Sequence, residues 1–187
     1  LQPLDKVRCM GKALPTPSLR CRQRICNDRR HDRSCTSTQR RRPKKDGGCQ
    51  AIGRSKGGLS TKIHAIVDAL GNPIGFHLTP GQAHDLDGAD KLLPGIEAEK
   101  LLADKAYDAN ERVITPLLAA GKEPVIPPKC NRNEQRHYDD ELYKARSLIE
   151  NFSCKLKQFR AIATRYDKKA CNFLAAIQLV ASIIWLN

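Results

Sequence analysis

The chain has 187 residues and a formal net charge of +13, with 33 Lys and Arg against 20 Asp and Glu, and 40% of it is hydrophobic. That length allows a core, and the basic balance points toward a nucleic-acid partner. The first residues carry no apolar run of the kind a secretory leader has, and the cysteines form no paired framework. The expected setting is therefore a reducing cytoplasm, with no disulfide scaffold and no membrane span.

The charge is uneven. Residues 1–49 hold 14 of the Lys and Arg but only 4 of the Asp and Glu, a net of +10, and five of the eight cysteines. This segment shows neither the period of 2 nor the period of 3.6 that marks strands and helices. Cys21, Cys26, His31 and Cys35 are of zinc-ligand type. Their Arg-rich spacers, however, lack the turn glycine and apolar anchor that a knuckle needs. The remainder, 50–187, is expected to be one compact domain.

Within it, Ser60 to Asp68 alternates Lys62, His64 and Ile66 against Ile63, Ala65 and Val67, which predicts a half-buried strand. Leu70-Gly71-Asn72-Pro73 is a turn, and Ile74 to Leu78 a returning strand. Pro80 and Gly81 end it. Asp85 or Asp87 caps a helix to about Leu93, Leu101 to Asp104 is a strand, and a helix from about Asn110 stops at Gly121. Val125 and Ile126 make a short strand closed by Pro127 and Pro128. Ala170 to Leu186 is almost wholly apolar, but with Asn172, Gln178 and Ser182 inside it is too short and polar to span a bilayer, so a core-packed closing helix is expected. Its outer flank could serve a homo-oligomer contact.

The most informative spacing is Tyr143, Arg146, Glu150 and Lys157, at steps of three, four and seven. On a helix those steps return to one face, so a phenol, a guanidinium, a carboxylate and an ammonium share a stripe. Glu150 can hold a divalent cation while Arg146 and Lys157 grip a nucleic-acid backbone. A solvated face with an Arg146–Glu150 salt bridge explains the spacing equally well. Asp104 adds a second acid at the end of a buried strand, where open α/β sheets place their ligands.

The pattern Asp104 … Tyr143-x2-Arg146-x3-Glu150-x6-Lys157 resembles the catalytic half of bacterial insertion-sequence transposases of the DDE class. So do AIGRSKGGLSTKIHAIVDALGNP (51–73), LTPGQAHDLDGA (78–89), VIPPKCNR (125–132) and KQFRAIATRYDK (157–168). The resemblance runs from about Ala51 to Asn187. It implies an α/β, ribonuclease-H-like mixed sheet flanked by helices. Three carboxylates would hold two divalent ions, Mg²⁺ or Mn²⁺, and cut and join DNA at transposon ends. By position Asp104 is the second family acid and Glu150 the third, with Tyr143, Arg146 and Lys157 in support. Lys62, His64, Lys129, Arg132 and Arg160 are the DNA-contact candidates, and Arg136, Arg165 and Lys168 extend the basic surface. Asp68 reads as turn chemistry and Asp108 as a helix cap. His84 and Asp85 read equally as groups near the metals or as a cap.

The first family acid, which the family carries in an opening strand, has no counterpart in frame. Asp28, Asp32 and Asp46 sit among Arg, Lys, Cys and Pro with no apolar run. A one-nucleotide shift of reading frame offers an explanation. Across Gln2 to Leu14 the shift allows a string resembling the family's Arg-Trp … Gly-x-Trp stretch, and the Met10–Gly11 junction forces a Trp codon. Across His31 to Arg42 it allows Met-Ile-Asp and then a His-containing run. Residues 1–49 are thus expected to be out of frame and disordered, the first strand missing or corrupted, and the chain inactive for want of one Asp. A non-catalytic DNA-binding remnant and a related metal-dependent nuclease are the alternatives.

Overall fold

The computed structural model describes the backbone of residues 7–13 and, in full, residues 50–55, 58–132 and 135–186. Segment 14–49 lies outside the described residues, and with it the Cys21/Cys26/His31/Cys35 set and the three N-terminal aspartates. The elements in order are strands β1 (Val7–Ala13), β2 (Gly53–Ser55), β3 (Gly58–Asp68) and β4 (Pro73–Pro80), helix α1 (Asp85–Leu92) and strand β5 (Lys100–Ala103). Helix α2 (Thr115–Ala119), strand β6 (Glu123–Val125), and helices α3 (Asp140–Tyr143), α4 (Ser147–Gln158), α5 (Arg160–Ala163) and α6 (Ala170–Leu186) follow.

The strands form one mixed sheet. β4 pairs antiparallel with β3, β3 antiparallel with β1, and β5 runs parallel between β1 and β6, while short β2 extends the start of β3. This corrects the expectation that the opening strand is missing. Val7–Ala13 fills the central place, with Met10 facing Ile66 on one side and Ala103 on the other. The physical reason is the bare edges of β3 and β5. Any strand-compatible stretch that bonds both saves two rows of backbone groups from burial without partners. A search for apolar periodicity within the segment could not find this.

The β3–β4 hairpin follows its turn chemistry. The Asp68 carboxylate accepts the backbone N–H of Leu70 (2.9 Å) and of Asn72 (2.8 Å), and Gly71 supplies the left-handed residue at φ +89°. α1 is capped one residue earlier than expected. His84 accepts the Leu86 N–H through Nδ1, and Asp87 accepts the His84 N–H in return, a reciprocal box at the helix start. Helix formation after Asn110 begins with a wide π turn (Asn110–Ile114) before α2, and Gly121 at φ +69° closes it.

Apolar residues cover both sheet faces. Ile63, Ala65, Val67, Leu102 and Val125 pack with Ile149, Phe152 and Leu156 of α4 and Phe173 and Ile177 of α6. On the other face Ile66, Leu101 and Ala103 pack with Leu86 and Ala89 of α1, with Tyr107 and with Leu117 of α2. β3 is therefore buried on both sides, and the expected half-exposed strand is corrected. Its alternation reflects two packed layers.

α6 buries Phe173, Ile177, Val180 and Ala181 and leaves Leu179, Ile183, Trp185 and Leu186 exposed. Among the described residues no helix is long and apolar enough to cross a membrane. Arg165 locks this helix to the start of the domain. Its guanidinium donates to the carbonyls of Gln50 (2.9 Å) and Ala51 (3.2 Å) and to Thr61 Oγ1 (2.5 Å), and lies 4.8 Å over the Phe173 ring. It is an internal tie rather than part of a basic surface. Phe173→Ala is expected to cost about 3–5 kcal/mol in urea unfolding, whereas Leu179→Ala changes stability by less than about 0.5 kcal/mol.

Candidate active site

β5 is short, parallel and fully buried, and the chain leaves it at Asp104. The Asp104 side chain caps the following turn of 3-10 helix (Lys105–Tyr107) by accepting the Lys105 N–H at 2.7 Å. The second carboxylate arrives from α4. Tyr143, Arg146 and Glu150 do not lie on one unbroken helix, because a 3-10 turn (Lys144–Arg146) joins α3 to α4. Ile149, Phe152 and Leu156 bury one side of α4 against the sheet, which leaves Glu150 exposed on the other.

Arg146 is paired with Glu150 at 2.7 Å and stacks over the Tyr143 ring at 5.4 Å. Burial raises the Tyr143 phenol above its ordinary pKa. The neighbouring Arg146 charge opposes that shift, and the carboxylates of Asp104 and Glu150 both add to it. Both acids, 46 positions apart in sequence, thus act electrostatically on Tyr143. Lys157, seven residues beyond Glu150, is half-buried further along α4.

An open cleft of about 560 Å³ lies beside Asp104, lined by Asp104, Lys105, Ala106, Lys129, Cys130 and Asn131. Tyr107, next along the chain from Ala106, is wholly buried, and its hydroxyl is 3.3 Å from His64 Nδ1. Burial pushes the Tyr107 phenol well above the usual range, and Asp85 and Asp104 push it further.

Two of the expected DNA contacts are corrected. His64 has no exposed surface. Its Nε2 bonds Thr79 Oγ1 at 2.8 Å, and its ring lies directly under Gly88, where a Cβ would fall 2.3 Å from Cγ. Lys62 is turned to the start of α1, donating to the Ala83 carbonyl (2.5 Å) and to Asp85 (2.9 Å). Both belong to the packing of α1 on β3, because that helix covers the face that the alternation left open.

Arg160 is exposed, with Nε 3.2 Å from the Tyr166 hydroxyl. Lys129 borders the cleft. Arg132 is joined to Asp108 and Asn110. Asp108 is no simple cap: its carboxylate is buried and takes Arg132 and Arg136 together with the Lys129 N–H. Sequence reading missed this cluster, and the only available signal was an acid four residues past Asp104 facing an Arg-rich stretch.

Among the described residues, no three side chains of His, Cys, Asp or Glu gather closely enough to hold a metal ion. Asp104 and Glu150 are two suitable oxygen donors, but Glu150 is engaged with Arg146, and β1, the strand beside β5, reads VRCMGKA without a carboxylate. Among the described residues this donor set is incomplete for a pair of divalent ions.

With the sheet, the acidic strand end and the helix-borne glutamate established, the comparisons with known proteins are decisive. The sequence profile of the transposase DDE domain matches residues 19–185, and the chain belongs to that family of bacterial insertion-sequence transposases. A Brucella ovis protein described as a transposase for insertion sequence element IS6501 is 37% identical over 132 residues, covering 69% of this chain and all of that protein. Divalent metal is general in the family.

The burial of His64 gives a test. His64→Ala, which leaves Thr79 and Tyr107 without their buried partner, is expected to cost about 2–4 kcal/mol of unfolding free energy. Gly88→Ala, which drives a methyl into the ring, should cost about 1–3 kcal/mol. Both are measured by urea denaturation, and a cost near zero for either would contradict the packing described.

Proposed function

We propose that this transposase keeps the family's DNA-facing architecture but lacks a complete strand-cutting centre. The observation that carries the reading is the register of β1 on β5. Met10 stands beside Ala103, so the next step brings Gly11 level with Asp104, and no residue of Val7–Ala13 is an acid. Among the described residues, a site that needs three carboxylates for two ions has two candidates, Asp104 and Glu150. The antiparallel half of the sheet, joined to a parallel half that ends in Asp104, supports the ribonuclease-H-like reading of the fold.

The chain's own residues then have limited roles. Asp104 and Glu150 are the acids that would face DNA, and the family's divalent ion, Mg²⁺ or Mn²⁺, supplies the charge neutralisation that phosphodiester cleavage requires. Arg146 orients Glu150 by its 2.7 Å ion pair, and its guanidinium stacks over the Tyr143 ring. Lys157 and Arg160 extend the positive face of the same helical region toward a DNA backbone. With one ligand missing, binding of the ion pair and the chemistry both fail, and the surviving role is DNA binding. The exposed flank of α6, with Leu179, Ile183 and Trp185, supports self-association on DNA.

The lack of an acid in Val7–Ala13 also supports the reading of residues 1–49 as out of frame, since the shifted frame allows an Asp codon straddling Arg33 and Ser34; against it, the family profile matches the present frame from residue 19. The test compares this chain with a frame-corrected version on duplexes carrying the element's terminal repeats, in Mg²⁺ or Mn²⁺. The corrected protein is expected to cut, and to lose more than about a hundredfold of its rate on Glu150→Gln, while this chain cuts no faster than the metal alone. Equal cleavage by both would end the proposal.

A further inference from the structure

Asp108 is the one buried carboxylate among the described residues, with no exposed side-chain surface. It lies just past the turn that Asp104 caps. It accepts the Lys129 N–H (2.9 Å), Arg132 Nε (2.5 Å) and a nitrogen of the Arg136 guanidinium. Arg132 also donates to Asn110 Oδ1 at 2.8 Å, and Gln135 Nε2 reaches the carbonyls of Lys129 (3.3 Å) and Arg132 (3.4 Å). The loop after Pro127-Pro128 is therefore bolted to the segment that follows Asp104, and the bolt is a buried acid under two guanidiniums.

The arrangement divides the loop's positive charges into two kinds. Arg132 and Arg136 are directed inward to a carboxylate whose burial is tolerable only because they neutralise it. Lys105 and Lys129 both line the cleft beside Asp104, and among the described residues neither ammonium is paired with a carboxylate. A phosphate entering the cleft meets these two lysines.

We infer that Asp108 is a positioning residue that withdraws Arg132 and Arg136 from the DNA surface and holds Lys129 at the cleft with Lys105, so that this lysine pair grips the DNA backbone next to Asp104. The inference rests on the chain being a DNA-binding transposase and adds to it a division of labour within one basic loop. Counting basic residues in the loop gives the opposite ranking, because arginines are ordinarily the stronger phosphate ligands.

The experiment measures binding of the full chain to a fluorescein-labelled random-sequence duplex by anisotropy, across a series of salt concentrations. Each backbone contact contributes about 0.9 to the slope of log affinity against log salt. Lys105→Ala and Lys129→Ala should each lower the slope by about that amount, while Arg132→Ala leaves it unchanged. In an Asp108→Asn background the Lys129→Ala effect should disappear, since the lysine is no longer held. Thermal melting of each variant checks folding, and the comparison of Lys129→Ala with Arg132→Ala decides the matter even where Asp108→Asn fails to fold. An Arg132→Ala slope loss equal to that of Lys129→Ala, or no loss for either lysine, overturns the inference while leaving DNA binding intact. Absence of any duplex binding by the unmodified chain overturns the underlying reading instead.

Discussion

A parallel strand carries its hydrogen bonds to neighbours on both sides, and β5 meets that demand with only four residues between β1 and β6. Leu101, Leu102 and Ala103 are buried on alternating faces, so the strand cannot slip by one residue without driving a core side chain into the opposite layer. That pinned register is what delivers Asp104 to the strand end. From it follow the capped turn, the buried Tyr107 and Asp108, and the cleft lined by Lys105 and Lys129. Backbone hydrogen bonds hold β1 between β3 and β5 whatever its side chains are, so the sheet fixes the place of Asp104 without dictating which groups stand on the neighbouring strand.

Magnitudes separate the ion pairs of this site. Arg146–Glu150 is a helical pair with Glu150 half exposed, worth a few tenths of a kcal/mol, so its value is orientation rather than stability. Asp108 is different. A carboxylate with no exposed surface must be neutralised, and breaking such a cluster by removing one partner costs several times more, about 3–5 kcal/mol. The loop that borders the cleft is thus tied through Arg132 and Arg136 more firmly than the acid on α4 is tied through Arg146.

Much was legible where the cause was local. Asp68 followed by Gly71 and Asn72 specifies its own turn, Gly121 stops a helix, and apolar residues at helical spacing in α4 fix which side faces the sheet. The misreadings share one cause. Lys62 and His64 alternate with aliphatics as an exposed face would, yet α1 covers them. Likewise, Arg165 looked like surface charge but closes a network around Gln50, Ala51 and Thr61.

The amino-acid order alone determined the family resemblance and the Arg146–Glu150 pair, because residues four apart on one helical turn meet whatever the rest of the chain does. Tertiary structure decided what lies beside them. The partners of His64 are 15 and 43 residues away, and those of Asp108 more than 20. The neighbour of Ala103 in the sheet, Met10, comes from near the start of the sequence. Burial and pairing at such separations are set by which layers close over which, a property of the assembled sheet that no local pattern encodes.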